Sequence, residues 1–197
     1  MTDRQAELIE LIHKEVKPAL GCTEPIAVAL AVAKAVDIIS ENCTNCGDCP
    51  LWRQTADFKI DVAVSGNILK NGMGVGIPGT GMVGLPIAAA LGAVCGDPAR
   101  GLEVLHGVSD GAVARAKELV AAKRVTISVA DTEHLLYVKA TVSMGETLRA
   151  SAEVHPRAYA VIEDDHDKIV ETSFADRILM SSESGAASRT APRWTIT

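Results

Sequence analysis

The chain has 197 residues, room for one domain or two small ones, and its core can form without covalent staples. Hydrophobic residues make up 48% but aromatics only 3%, so that core is aliphatic. The formal charge of −6 leaves no basic patch for nucleic acid or an anionic membrane. The longest apolar run, Pro25 to Ala33, is too short to span a bilayer.

Leu8, Ile12 and Val16 recur at helical spacing, with Ile9 and Leu11 widening the stripe, and Pro18 ends this first helix. A second helix is expected from about Glu24 to Ser40. It is apolar nearly all round, which predicts burial. Thr23 reads as its N-cap, with Glu24 and Pro25 in the first turn. Glu41 to Thr55 reads as a polar, cysteine-rich loop. Phe58, Ile60, Val62 and Val64 alternate with Lys59, Asp61 and Ser65, the pattern of a half-buried strand.

Gly66 to Gly84, "GNILKNGMGVGIPGTGMVG", reads as one long glycine-rich loop, followed by a small-residue helix over Leu85–Cys95. A short helix is expected over Gly101–Gly107. Ser109 caps another, with Ala112, Val113, Ala116, Leu119 and Val120 on its apolar face. From Val125 the period becomes two. Val125–Val129, Leu135–Ser143, Leu148–Val154, Tyr159–Ile162 and Lys168–Thr172 read as strands of an antiparallel meander. A helical half with one early strand, then a meander, makes the class α+β. Residues 1–174 form the expected domain, and 175–197 a divergent tail of disorder composition.

Three places carry candidate chemistry. Cys22 precedes a helix N-terminus, whose unpaired N–H groups favour a thiolate; the alternative is a small buried hydrophobe beside a plain helix start. Cys43, Cys46 and Cys49 have the two-residue spacing of an iron–sulfur run. Zinc is the alternative ligand, although a fourth donor is not in the run, and so is a loop of reduced thiols. Gly79, Gly81 and Gly84 spell G-x-G-x-x-G, but no strand directly precedes them, so the dinucleotide reading fails. With Asn67, Lys70, Asn71 and Thr80, the loop could instead cradle a small carboxylate. Tight helix packing explains the same glycines equally well. The five cysteines and an N-terminus without a basic or apolar leader make a reducing cytosol the expected compartment.

Three stretches together, "PALGCTEPIAVALA", "GNILKNGMGVGIPGTGMVGLPIAAALGAVCGDPARGLEVL" and "AKELVAAKRVTISV", resemble the L-cysteine desulfidase family. That family also carries an uncharacterised-protein label and is related to the α chain of iron–sulfur L-serine dehydratases. The resemblance runs to about Phe174. It implies a β-elimination lyase that uses a [4Fe-4S] cluster and takes a small amino acid. L-cysteine would give pyruvate, ammonia and sulfide; L-serine would give pyruvate and ammonia. It marks Cys22, the cysteine of Cys-Thr-Glu-Pro, as a catalytic or cluster-adjacent group. With Glu24 beside it as the second catalytic candidate, the loop residues Asn67, Lys70, Asn71, Gly79, Thr80 and Gly81 are the expected substrate-binding set. The family's cluster cysteines lie in a later half, so Cys43, Cys46 and Cys49 do not inherit that role. The chain therefore reads as a truncated product or fragment, or as one subunit of a split enzyme, with a second chain carrying the cluster half. A homo-oligomer is expected. The rival readings are a non-catalytic iron–sulfur or zinc module built on Cys43–Cys49, and a structural fragment that packs on a partner chain.

Overall fold

A computed structural model describes residues 3–15, 20–42, 58–145, 148–154, 160–164 and 169–172. The expected cysteine-rich loop from 43 onward, the helix stop at Pro18 and the tail lie outside these residues, while Glu41 and Asn42, expected in that loop, belong to a helix. The class is α+β, as the periodicities imply.

Helices α1 (Asp3–Glu15) and α2 (Thr23–Asn42) precede strand β1 (Phe58–Val64). The glycine-rich stretch is not a plain loop. It folds into α3 (Gly66–Gly72) and a hairpin of β2 (Gly76–Ile77) and β3 (Met82–Val83). Gly66 and Gly72 are poor helix formers. The Ser65 side chain compensates by accepting from the Ile68 N–H, and Ile68 is buried beneath. Then come α4 (Leu85–Cys95), a 3-10 helix (Pro98–Glu103) and α5 (Asp110–Ala121), whose Ser109 cap accepts from the Ala112 N–H as expected. The short helix thus begins three residues before Gly101. Strands β4 (Val125–Val129), β5 (Val138–Met144), β6 (Leu148–Val154), β7 (Ala160–Asp164) and β8 (Ile169–Thr172) complete the order.

Strands β5 to β8 form the expected antiparallel meander, but β4 stands outside it. All join β1 in one six-stranded sheet ordered β4-β1-β5-β6-β7-β8. β4 pairs with β1 in parallel, and the other neighbours are antiparallel. Register makes three apolar rows across β1, β5 and β6: Ile60–Val142–Ala150, Val62–Ala140–Ala152 and Val64–Val138–Val154. Helix α2 packs along these rows at β5 and β6, α4 lies beside it toward β4, and α5 packs on α4. Alanines 150 and 152 leave room for a wholly buried helix, and α2 from Ile26 to Ala33 is almost fully covered. Gly92 and Gly96 of α4 face Ala29 and Ala33 of α2, so the two helices run parallel and nearly touch.

The other face of the sheet is polar. Thr141 and Ser151 share a 2.9 Å hydrogen bond, and Lys139 pairs with Glu153 at 3.1 Å directly across β5 and β6. Tyr137 joins this ladder. Its phenol is pushed above the usual value of about 10, first by burial, then by the charge of Glu153 and their hydrogen bond. A raised pKa in the folded state means that the unfolded chain releases this proton first. Stability is therefore unaffected by this group below pH about 10 and falls as pH rises further. Tyr137→Phe should flatten the alkaline limb of a stability-against-pH curve measured by urea unfolding. An unchanged limb would remove Tyr137 from the account.

Candidate functional site

Cys22 sits immediately ahead of α2, and its carbonyl accepts the Ile26 N–H at 3.4 Å. Cys22, not Thr23, occupies the capping place. Thr23 is the first helical residue, and its hydroxyl donates to Glu24 Oε2 at 3.4 Å. The expectation of a Thr23 cap fails because the helix begins one residue earlier. The Cys22 thiol is exposed, not sealed in the core.

Gly21, with φ at +93°, turns the chain so that Cys22 opens onto a cleft. Leu20 anchors this turn by donating its N–H to the Leu102 carbonyl at 3.2 Å. The cleft wall opposite Cys22 is Val75–Pro78, and Ile26, Leu91 and Leu105 form its apolar floor. Its void is ≈ 20 Å³, enough for about one water molecule. An amino acid does not fit inside it, so any such ligand lies across its mouth.

Beside the mouth, Asn71 Nδ2 donates to Glu24 Oε1 at 3.4 Å, a long bond that ties α3 to α2. Asn67, Lys70 and Asn71 are all exposed and fall on one side of α3 by their spacing. The structure thus brings together Cys22, Glu24, Asn71 and, through the same helix face, Asn67 and Lys70.

Of the expected cradle Gly79–Thr80–Gly81, Thr80 is turned to a structural task. Gly79 and Gly81 take φ of +76° and +66°, which explains glycine there by backbone conformation. Thr80 is buried. Its hydroxyl donates to the Ile77 carbonyl at 2.7 Å and accepts the Met82 N–H at 2.9 Å. That side chain holds the hairpin and is not offered to a ligand. Sequence reasoning missed Gly21, Val75 and Pro78. The glycine before Cys22 was the available signal, since only a left-handed turn there points the thiol at the hairpin.

The comparisons with known proteins come to one name. The chain is 48% identical over 164 residues to a UPF0597 protein of Shewanella halifaxensis. It is 49% identical over 153 residues to a UPF0597 protein of Oleidesulfovibrio alaskensis, and 42% identical over 178 residues to one of Bacteroides fragilis. These matches cover 82%, 78% and 90% of this chain but only 34%, 32% and 36% of the relatives. The chain thus spans about a third of the length of the curated relatives it matches. No family model matches it, and no solved structure does.

The described residues do not suit an iron–sulfur cluster. Their cysteines are Cys22 and Cys95. Gly92 and Gly96 lie against Ala29 and Ala33, which places Cys95 some ten residues further along α2 than Cys22, about 15 Å by helix rise. One cluster cannot bridge them. Cys95 is exposed at the end of α4, donates its thiol to the Leu91 carbonyl at 3.4 Å, and has its pKa pushed up by partial burial, so it is held in the thiol form unsuited to a ligand. Among the described residues no three His, Cys, Asp or Glu side chains gather as a metal site. Cys43, Cys46 and Cys49 lie outside the described residues, for iron and zinc alike.

Proposed function

We propose that this chain is the N-terminal part of a β-elimination lyase of the L-cysteine desulfidase type, acting on L-cysteine or L-serine. One observation carries the reading. The two stretches that most resemble that family, Cys22–Pro25 and the glycine-rich segment, form the two walls of a single cleft. In this reading the [4Fe-4S] cluster belongs to residues outside those described, in a second portion of the protein or a second chain. The protein works in the cytosol, as a homo-oligomer or with that partner.

The residues of this chain have defined tasks in that reading. The face of α3 that bears Asn67, Lys70 and Asn71 receives the substrate carboxylate, with Lys70 supplying the countercharge. Cys22 or Glu24, at the mouth of the cleft, takes the α-proton. The electron pair left on Cα forms a double bond to Cβ as the thiol or hydroxyl departs. Water then converts the resulting enamine to pyruvate and ammonia.

A chimaera tests this, with the chain replacing the segment of the Shewanella halifaxensis protein that it matches. The chain alone should release neither sulfide from cysteine nor pyruvate from serine, whereas the chimaera should release pyruvate and ammonia from one of the two, with sulfide where that is cysteine, under anaerobic conditions with iron supplied. Turnover by the chain alone would overturn the two-part reading. Inactivity of both the chimaera and the parent Shewanella protein would overturn the lyase reading.

A further inference from the structure

Helix α1 presents a face that nothing described covers. Leu8, Ile9, Leu11 and Ile12 are 51%, 42%, 50% and 55% exposed. At 100° per residue they occupy one continuous stripe, with Glu7, Glu10 and His13 on the opposite side. No other described element packs extensively along this helix. Isolated helices of this length are marginal in water, so a stripe this regular is built for a partner surface.

Beyond the chain's own undescribed residues, three occupants are conceivable, and the observations choose between them. A lipid surface is disfavoured because the polar side carries Glu7 and Glu10 where an interfacial helix carries lysine and arginine. A second copy of the chain is disfavoured by area. Four half-exposed aliphatic side chains offer on the order of 300 Å². A stable dimer needs about 800 Å² from each partner. An interface that small suffices only where its two sides are already tethered, as domains of one chain are. The relatives supply that condition, because about two thirds of their length has no counterpart here.

We propose that the Leu8–Ile12 face of α1 docks into an apolar groove on the portion of these relatives that this chain does not match. The proposal rests only on the chain being one portion of a larger protein, not on the chemistry at Cys22. It has a bearing on that chemistry all the same. Glu15 ends α1 seven residues before Cys22, at most about 25 Å of extended chain. Docking therefore brings the second portion close to the open mouth of the cleft.

Amide hydrogen exchange read by mass spectrometry tests this on the chain alone and on the chimaera described above. Amides of α1 should exchange quickly in the chain and at least ten-fold more slowly in the chimaera. The double variant Leu8→Ser, Ile12→Ser should restore fast exchange in the chimaera and leave α2 protected. Equal exchange of α1 in both proteins overturns the proposal. So does a dimer of the chain, seen by sedimentation, that the double variant dissociates, since the second copy would then be the occupant. Should α2 lose its protection in the chimaera, the same measurement on the Shewanella protein itself decides, at its helix aligned with α1. Protection there that is lost on making the two aligned apolar positions serine supports docking, and its absence overturns it. Exchange does not depend on turnover, so this result stands apart from the lyase reading.

Discussion

Replacing Gly92 with alanine should cost the protein at least about 2 kcal/mol of stability. A Cβ at this position would lie 2.2 Å from the Ala29 carbonyl oxygen and 2.8 Å from its Cα. Both are backbone atoms of a helix buried on all sides, so neither can rotate away. Relief requires α4 to move off α2, which opens the floor of the cleft and the contact of both helices with the sheet. Overpacking of this kind costs roughly 3 kcal/mol, and alanine's better helix propensity returns only about 1 kcal/mol. Gly66→Ala is the control. Its added Cβ meets nothing within 4 Å, so it should leave stability unchanged or raise it slightly. Urea unfolding of the two variants reads the difference. A Gly92 variant as stable as the parent would mean that the two helices do not touch as closely as described.

The second large effect is chemical. In the chimaera, Cys22→Ala should lower turnover on the order of 10²–10⁴-fold, the usual worth of a positioned proton acceptor, if the thiol takes the α-proton. Glu24→Gln should carry that loss if the carboxylate does. Asn71→Ala should cost far less, about ten-fold, because its long bond to Glu24 only orients that carboxylate. None of the three should move the unfolding midpoint by much, because all three side chains are at least partly open to solvent. Full activity in both Cys22→Ala and Glu24→Gln would leave the cleft without a base from this chain. A loss of activity matched by a loss of stability would mark either residue as structural.

The fold was legible where one face of an element had to be buried. Val125–Val129 matches its strand residue for residue and Leu85–Cys95 its helix, and the first strand overran only at Ser65, which caps α3, because alternation, helical spacing and punctuating glycines all agree there. Leu135 was drawn into β5 by its apolarity, yet it lies before the strand and is 77% exposed. What failed depended on distant partners. No local signal says that β4 pairs in parallel with a strand far behind it. Nor does one say that Leu8 and Ile12, patterned like core residues, face no core within these residues. Composition hid α3, since two glycines in a seven-residue helix outweigh its Ser65 cap in any local count. At the site, the sequence marked Glu24 and Asn71, which do meet, and Cys22, which opens onto the cleft beside them. Thr80 was misjudged because a hydroxyl in a glycine-rich turn reads as ligand-facing until its two hairpin bonds are known.

The place of β1 in the sheet has a consequence for how the protein is made. Both of its neighbours lie downstream, the nearer beginning about sixty residues after it ends. At ribosomal speeds of about 5–20 residues per second, β1 leaves the exit tunnel roughly 3 to 12 s before either can pair with it. Throughout that interval two strand edges lie bare, and the apolar α2, already synthesised, has no sheet to rest on. The nascent chain is thus at its most adhesive midway through translation, and expression at low temperature or with a holding chaperone bears directly on the yield of folded protein.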